Sequence, residues 1–445
     1  MTLTTTTPAP GIDRPDDLGP APHFVTERPG PVAREIIARD EAVTSLSLTR
    51  LYPLVVARGR GCVLEDVDGN RFLDFNAGIA VTAAGHAHPQ VNAAIHAQVD
   101  NVLHYCSSDF YLPSFADFCE RIAGLAPMDD AAKVFVSNSG TEAVEAALKL
   151  ARHRTRRSNV IAFFGAFHGR TLGSLSLTAS KARQRAGFGI VTPGSFHAPY
   201  YDPYDPDAVT GAEYIERVLF SKMTDPADVA AIFVEPLQGE GGYIVPPAGW
   251  LADLRTLCDE HGILLVVDEI QSGVGRTGTM WAAQHDDVEP DIMCFGKGIA
   301  SGLPLAGILT KPDVMDWKPG GHGSTFGGNP VACAAGLATL DLVEHELADN
   351  AALVGEHLIG RLGELAATQP LMDQVRGRGL MIGIDLPNHD TASAVEYACF
   401  EQGLLVLTCG ERSVRMAPPL VVTTQQADTA VELFSQALDQ VGATK

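Results

Sequence analysis

The sequence predicts an α/β fold: a mostly parallel sheet covered by helices, with a smaller α+β unit at the C-terminal end. Three observations carry that reading. Short runs apolar on both faces, such as Ile263-Leu264-Leu265-Val266-Val267 and Ile292-Met293-Cys294-Phe295, suit strands buried inside a parallel sheet. They alternate with helical patterns, at 143–152 and 249–262, as repeated strand–helix units do. From about residue 331 the pattern changes to amphipathic helix, to about 367, and then to strands at 380–386 and 404–408.

Taken in order, the first 28 residues are rich in Thr, Pro and acids and read as a disordered tail; they lack the basic and apolar regions of a secretory signal. Residues 29–85 are expected to join the small domain. Within them Arg34-Glu35-Ile36-Ile37 starts a helix, and two strands flank an Asp68-Gly69-Asn70 turn. The large domain is expected over 86–333 and the small domain over 334–445. A helix fits 91–103, and strands fit 133–136, 160–164 and 230–234 before the two runs named above. A glycine-dense loop at 320–330 either flexes or lets backbone approach a ligand or partner closely.

The chemistry is concentrated at strand ends, where open α/β sheets bind ligands. Asp268 follows one apolar run, and Lys297 follows another between Gly296 and Gly298. An amine and an acid on one sheet edge suit pyridoxal phosphate, the lysine forming a Schiff base and the aspartate pairing with the pyridinium nitrogen. Taken singly, the aspartate could equally cap the next segment and the lysine sit in solvent. Ser137-Asn138-Ser139-Gly140-Thr141-Glu142 opens a helix and reads either as an anion cradle or as an N-cap with a capping-box glutamate. Phe167 and Arg170 follow a strand, where an aromatic can stack on a ring and an arginine can hold a carboxylate. Gly273-Val274-Gly275-Arg276-Thr277-Gly278 matches a dinucleotide fingerprint, but neither a helix nor a following acidic strand end supports it. His86 and His88 lack further ligands at metal spacing and read as structural, so no metal is expected.

At 445 residues, 46% apolar and 19% charged, the chain suits a large enzyme subunit. A net charge of −22 argues against nucleic acid or an anionic membrane as partner. Eight cysteines without a CxxC pair read as reduced thiols of a cytoplasmic protein, and no run is long enough to span a bilayer.

Beyond these readings, eight ordered motifs resemble the class III, ω-amino-acid aminotransferases of fold type I, among them the 4-aminobutyrate, ornithine and acetylornithine enzymes. They are LDFNAGIAVTAAGHAHP, SNSGTEAVEAALKLAR, FHGRT, EPLQGEGG, VVDEIQSGVGRTG, FGKGIASGLPLAG, GSTFGGNP and VRMAPP, and they span the chain from about Pro29 to the end. The resemblance implies a seven-stranded, mostly parallel sheet and pyridoxal 5′-phosphate as cofactor. It implies Lys297 as the Schiff-base lysine and proton shuttle, Asp268 as the pyridinium partner, and Gln271 as the partner of the ring hydroxyl. Gly140 and Thr141 resemble the phosphate cradle, Phe167 the stacking aromatic, and His168 a further cofactor-binding residue. Thr325 is similar to the residue that reaches a neighbouring subunit's phosphate, which implies a homodimer, or a dimer of dimers, with shared sites.

For substrates, Arg170 and Arg415 resemble two carboxylate clamps, Glu240 the acid that pairs with Arg415, and Ile79 a position isoleucine occupies in 4-aminobutyrate enzymes. An ω-amino acid has no charge beside its reacting carbon, whereas 2-oxoglutarate carries a carboxylate there. Glu240 would neutralise Arg415 until that carboxylate arrives. The activity implied is ping-pong transfer of an amino group from 4-aminobutyrate, or from ornithine or its acetyl derivative, to 2-oxoglutarate, giving a semialdehyde and glutamate. An amino-acid racemase, reprotonating the substrate carbon instead of the cofactor, would keep the same core residues and is the alternative.

Overall fold

The computed structural model describes residues 18–129, 131–189 and 191–443. The central sheet has seven strands in the order Lys133–Ser137, Ala306–Thr310, Ile292–Phe295, Leu264–Asp268, Val229–Val234, Asn159–Phe163, Ser195–Ala198. Ala306–Thr310 runs antiparallel to both its neighbours, and every other pair is parallel. The inner strands are buried on both faces because side chains alternate between two helical layers. Val266 faces the layer of helix Gly140–Thr155, packed with Ala143 and Ala147. Leu265 and Val267 face the layer of helix Trp250–His261, packed with Leu254 and Leu257. This is the α/β architecture the sequence predicts, with the parallel strands ending on one edge.

The C-terminal unit carries an antiparallel sheet of Val375–Arg378, Met381–Asp385, Ser413–Met416 and Leu407–Cys409. The expected strand at 404–408 divides between two sheets. Leu404–Leu405 pairs in parallel with Arg71–Asp74, and Leu407–Cys409 pairs with Ser413–Met416. The first pairing ties the N-terminal segment to the small unit. Its hairpin, Val63–Asp66 with Arg71–Asp74, turns at Gly69 with φ +90°, and the Asp66 carboxylate accepts the backbone N–H groups of Asp68 and Asn70.

Two boundaries differ from the expected ones. Residues 1–17 of the expected tail lie outside the described residues. From Leu18, which is buried, the chain packs on the small unit: Val25 N–H donates to Asn70 Oδ1 and Arg28 Nη2 to the Glu401 carbonyl. The expected division after Cys333 falls inside helix Pro330–Leu342. That helix continues without a loop through Val343–Leu347 into Ala348–Ala366, so one helical run passes from the large unit to the small one.

Candidate active site

Five parallel strands lead at their C-terminal ends into one cavity of about 250 Å³. Strand Leu264–Asp268 ends in a buried carboxylate. Asp268 Oδ2 lies 2.7 Å from His168 Nδ1, and Oδ1 accepts the Ile270 N–H at 3.0 Å. Burial opposes a charge on His168, but the hydrogen bond and charge of Asp268 outweigh it and raise its pKa. Lys297 follows strand Ile292–Phe295 with φ +42°, a left-handed conformation that costs about 1–3 kcal/mol and clusters at functional sites. Among the described residues its amine has no hydrogen bond or ion pair. Burial pushes its ammonium down, against the pull of Glu240 and Asp268.

At the far end, helix Gly140–Thr155 presents its N-terminus, where the first backbone N–H groups have no partner within the helix. Glu142 accepts the N–H groups of Asn138 and Ser139, so the capping-box reading and the cradle reading hold together at adjacent positions. The Thr141 hydroxyl bonds those of Thr171 and Ser174 at 2.8 and 2.7 Å. A Cβ at Gly140 would press on the Ile270 side chain at 2.9 Å, so any larger residue there makes Ile270 shift. Phe167 and Gln271 line the cavity, and the Gln271 carbonyl accepts the Tyr243 hydroxyl at 2.8 Å. Exposed Arg170 lies at the cavity's edge, its guanidinium 5.4 Å from the Phe167 ring.

Beside this cavity, Arg415 Nη1 donates to Glu240 Oε1 at 2.6 Å, joining a small-unit strand to the loop after strand Val229–Val234. Burial works against both charges. Arg415 nonetheless holds the Glu240 carboxyl below its usual range, and Glu240 raises Arg415. The structure does not bring two expected residues to the cavity of their own chain. Thr325 is exposed, and Ile79 is 45% exposed on a turn where residues 77–80 all have positive φ. Sequence reasoning missed Glu235, which lines the cavity and stands after an apolar run just as Asp268 does. The dinucleotide-like loop serves packing: buried Arg276 donates to the carbonyls of Leu380 and Pro418. His86 pairs with Asp74, and His88 caps helix Pro89–Val99.

These residues fit pyridoxal 5′-phosphate. A buried carboxylate, an unpaired amine and a helix N-terminus with an adjoining hydroxyl face one cavity, matching a ring nitrogen, an aldehyde and a phosphate. Fold and site together define a pyridoxal-phosphate enzyme of fold type I. The sequence pattern of the aminotransferase class-III family matches residues 47–438. An alanine/serine racemase of Pyrococcus horikoshii is 37% identical over 94% of this chain and 92% of its own length. A 4-aminobutyrate aminotransferase of Escherichia coli is 38% identical over 92% and 98%. The structure of ornithine aminotransferase from Toxoplasma gondii, described with partial occupancy of PLP at its active site, superposes with a TM-score of 0.84. It is 34% identical and covers 93% of this chain and 95% of its own. The chain belongs to the class-III aminotransferases, and its cofactor is pyridoxal 5′-phosphate. Among the described residues no helix is long and apolar enough to cross a membrane.

Proposed function

We propose that this transaminase moves an amino group from an ω-amino acid, 4-aminobutyrate or a substrate of the ornithine type, to 2-oxoglutarate. The observation that supports this most is the Glu240–Arg415 pair at 2.6 Å beside the cavity. Paired, it presents little net charge to an uncharged substrate carbon; opened, it frees an arginine for a carboxylate. When bound, pyridoxal phosphate supplies an aldehyde that takes up the amino group and a ring that absorbs the electron pair left at the substrate carbon. Lys297 Nζ moves the proton, and its lowered pKa favours the neutral amine that this requires. Asp268, held by His168, keeps a proton on the ring nitrogen. Gly140 and Thr141 hold the phosphate, Gln271 the ring hydroxyl, and Phe167 one ring face. Arg170 holds the distal carboxylate of either substrate.

The working unit is a homodimer, or a dimer of dimers, in a reducing cytoplasm. Exposed Leu103, Tyr111 and Phe326 supply apolar surface for the contact, and all eight cysteines are free. Thr325, exposed and outside its own chain's cavity lining, reaches the partner's phosphate site, and Ile79 contacts the substrate. Light scattering that finds a fully active monomer overturns this assembly.

A second reading, amino-acid racemisation, is favoured by the similarity to the Pyrococcus racemase. One experiment separates the two: incubate the enzyme with a panel of amines, with and without 2-oxoglutarate, and analyse the recovered amino acid on a chiral column. Glutamate formed only with 2-oxoglutarate supports transamination. Inverted amino acid without 2-oxoglutarate sinks it.

A further inference from the structure

Glu235 stands directly after strand Val229–Val234, whose neighbour Leu264–Asp268 is in register with it, Val234 opposite Val267. Two carboxylates, Glu235 and Asp268, therefore end adjacent parallel strands on the wall of one cavity. Like charges this close in a dry site do not both ionise, so one carboxyl keeps its proton. Geometry decides which. Asp268 has His168 Nδ1 at 2.7 Å and the Ile270 N–H at 3.0 Å. Among the described residues the Glu235 carboxyl has only two long amide contacts, from Phe167 at 3.4 Å and Gly239 at 3.3 Å.

We propose that Glu235 carries a proton in the resting enzyme and acts as a positioning residue for the cavity's charges. Neutral, it leaves Asp268 the single anion on the cavity wall and does not hold the Lys297 amine in its charged form once that amine is free of the cofactor. Ionised, it adds a negative charge that favours Lys297 as an ammonium, and the amine is lost as a base.

The groups around it agree with this assignment. Burial, opposed by the charge of His168, aided by that of Asp268 and opposed again by the Gly239 N–H and Lys297, leaves the Glu235 carboxyl raised to about 7. Buried Tyr200 donates its hydroxyl to the Glu235 backbone carbonyl at 2.8 Å, which fixes the strand end and not the carboxyl. Glu269, the neighbouring buried acid, is also raised by burial to about 7 and adds to the same unfolding slope in every variant that keeps it, but its place in the structure differs. It accepts close bonds from Ser272 Oγ at 2.6 Å and Ala283 N at 2.7 Å, and it staples the following loop outside the cavity.

The test is a pH titration of the bound cofactor's absorbance in the holoenzyme, beside the pH profile of kcat. Wild type should show a transition near pH 7, with kcat falling as Glu235 ionises. Glu235→Gln, permanently neutral, should lose that transition and keep its turnover flat through the same range, and Glu235→Ala should also lose the transition. Glu269→Gln should retain it. Thermal unfolding gives a second readout that does not depend on activity or on any one variant being fully active. A raised acid pKa means the folded state binds the extra proton between the ordinary 4.5 and about 7, so stability falls as pH rises through that window. The fall should be shallower in Glu235→Gln. A transition that survives in Glu235→Gln, its absence from wild type, or equal pH slopes of unfolding in the two proteins overturns the proposal.

Discussion

Two acid–base pairs frame the active site, and they are built for opposite purposes. His168–Asp268 and Glu240–Arg415 are nearly equal in length, at 2.7 and 2.6 Å. The first lies wholly within the large unit, its side chains 0% and 3% exposed. Each partner is further fixed by a neighbour: Thr178 Oγ1 accepts the His168 N–H, and Ile270 N–H donates to Asp268. The second spans the two units through one nitrogen and one oxygen. Distance does not distinguish a permanent pair from a breakable one; the bonds around the pair do.

The inner pair should show the larger effects. Asp268→Ala leaves His168 buried without its partner and, on the proposed assignment, removes the anion facing the ring nitrogen. Turnover should fall roughly 10²- to 10³-fold, about 2.7–4 kcal/mol, while borohydride still links the cofactor to Lys297. Labelling at another lysine, or turnover within tenfold of wild type, breaks the comparison.

Arg415→Ala tests the outer pair. The half-reaction with the oxo acid should slow by about 2–3 kcal/mol for a lost charge-assisted bond, while the half-reaction with the amine changes less than tenfold. Rapid mixing of each substrate with the enzyme separates the halves. Equal losses in both would make Arg415 a structural residue.

A smaller effect is expected from Arg376→Ala. Arg376 grips Asp385 through two bonds, of 2.6 and 2.7 Å, and donates to the Gly242 carbonyl at 2.6 Å. It thereby ties the small unit to the loop carrying Glu240 and Tyr243. Its loss should raise KM for the oxo acid by about tenfold, roughly 1.4 kcal/mol, with kcat less affected. Lysine, which keeps the charge but not the fork, should restore only part of it. An unchanged KM separates this clasp from the outer pair.

Most of the fold and of the cavity is legible in the sequence because the chain marks strand ends sharply. At Asp268 and Lys297 an apolar run stops at a charged residue, and at Gly140 a strand gives way to small polar residues before a helix. Other features carry no such mark. Ala306–Thr310 is hard to read as a strand beside its glycines, yet Gly307 is needed there because a Cβ would meet the Phe135 carbonyl at 2.2 Å. The crossing between units is hidden because the apolar pattern continues unbroken along 330–366. Glu235 carries the same signal as Asp268, an acid after an apolar run, and only the register of the two strands reveals that they share a wall.

The antiparallel strand also sets an order of events during synthesis. Lys133–Ser137, which leads into Gly140 and Thr141, is an edge strand whose sole sheet partner among the described residues is Ala306–Thr310. That partner leaves the ribosome ~170 residues later, roughly 10 to 30 s at common elongation rates. Throughout that interval the helix N-terminus hangs on an unpaired strand, so the nascent chain has no finished place for a phosphate. On the proposed assignment of that turn to the phosphate, cofactor capture belongs to the late stage of biogenesis, and a ribosome-stalled chain with residues up to 305 clear of the exit tunnel should not retain pyridoxal phosphate.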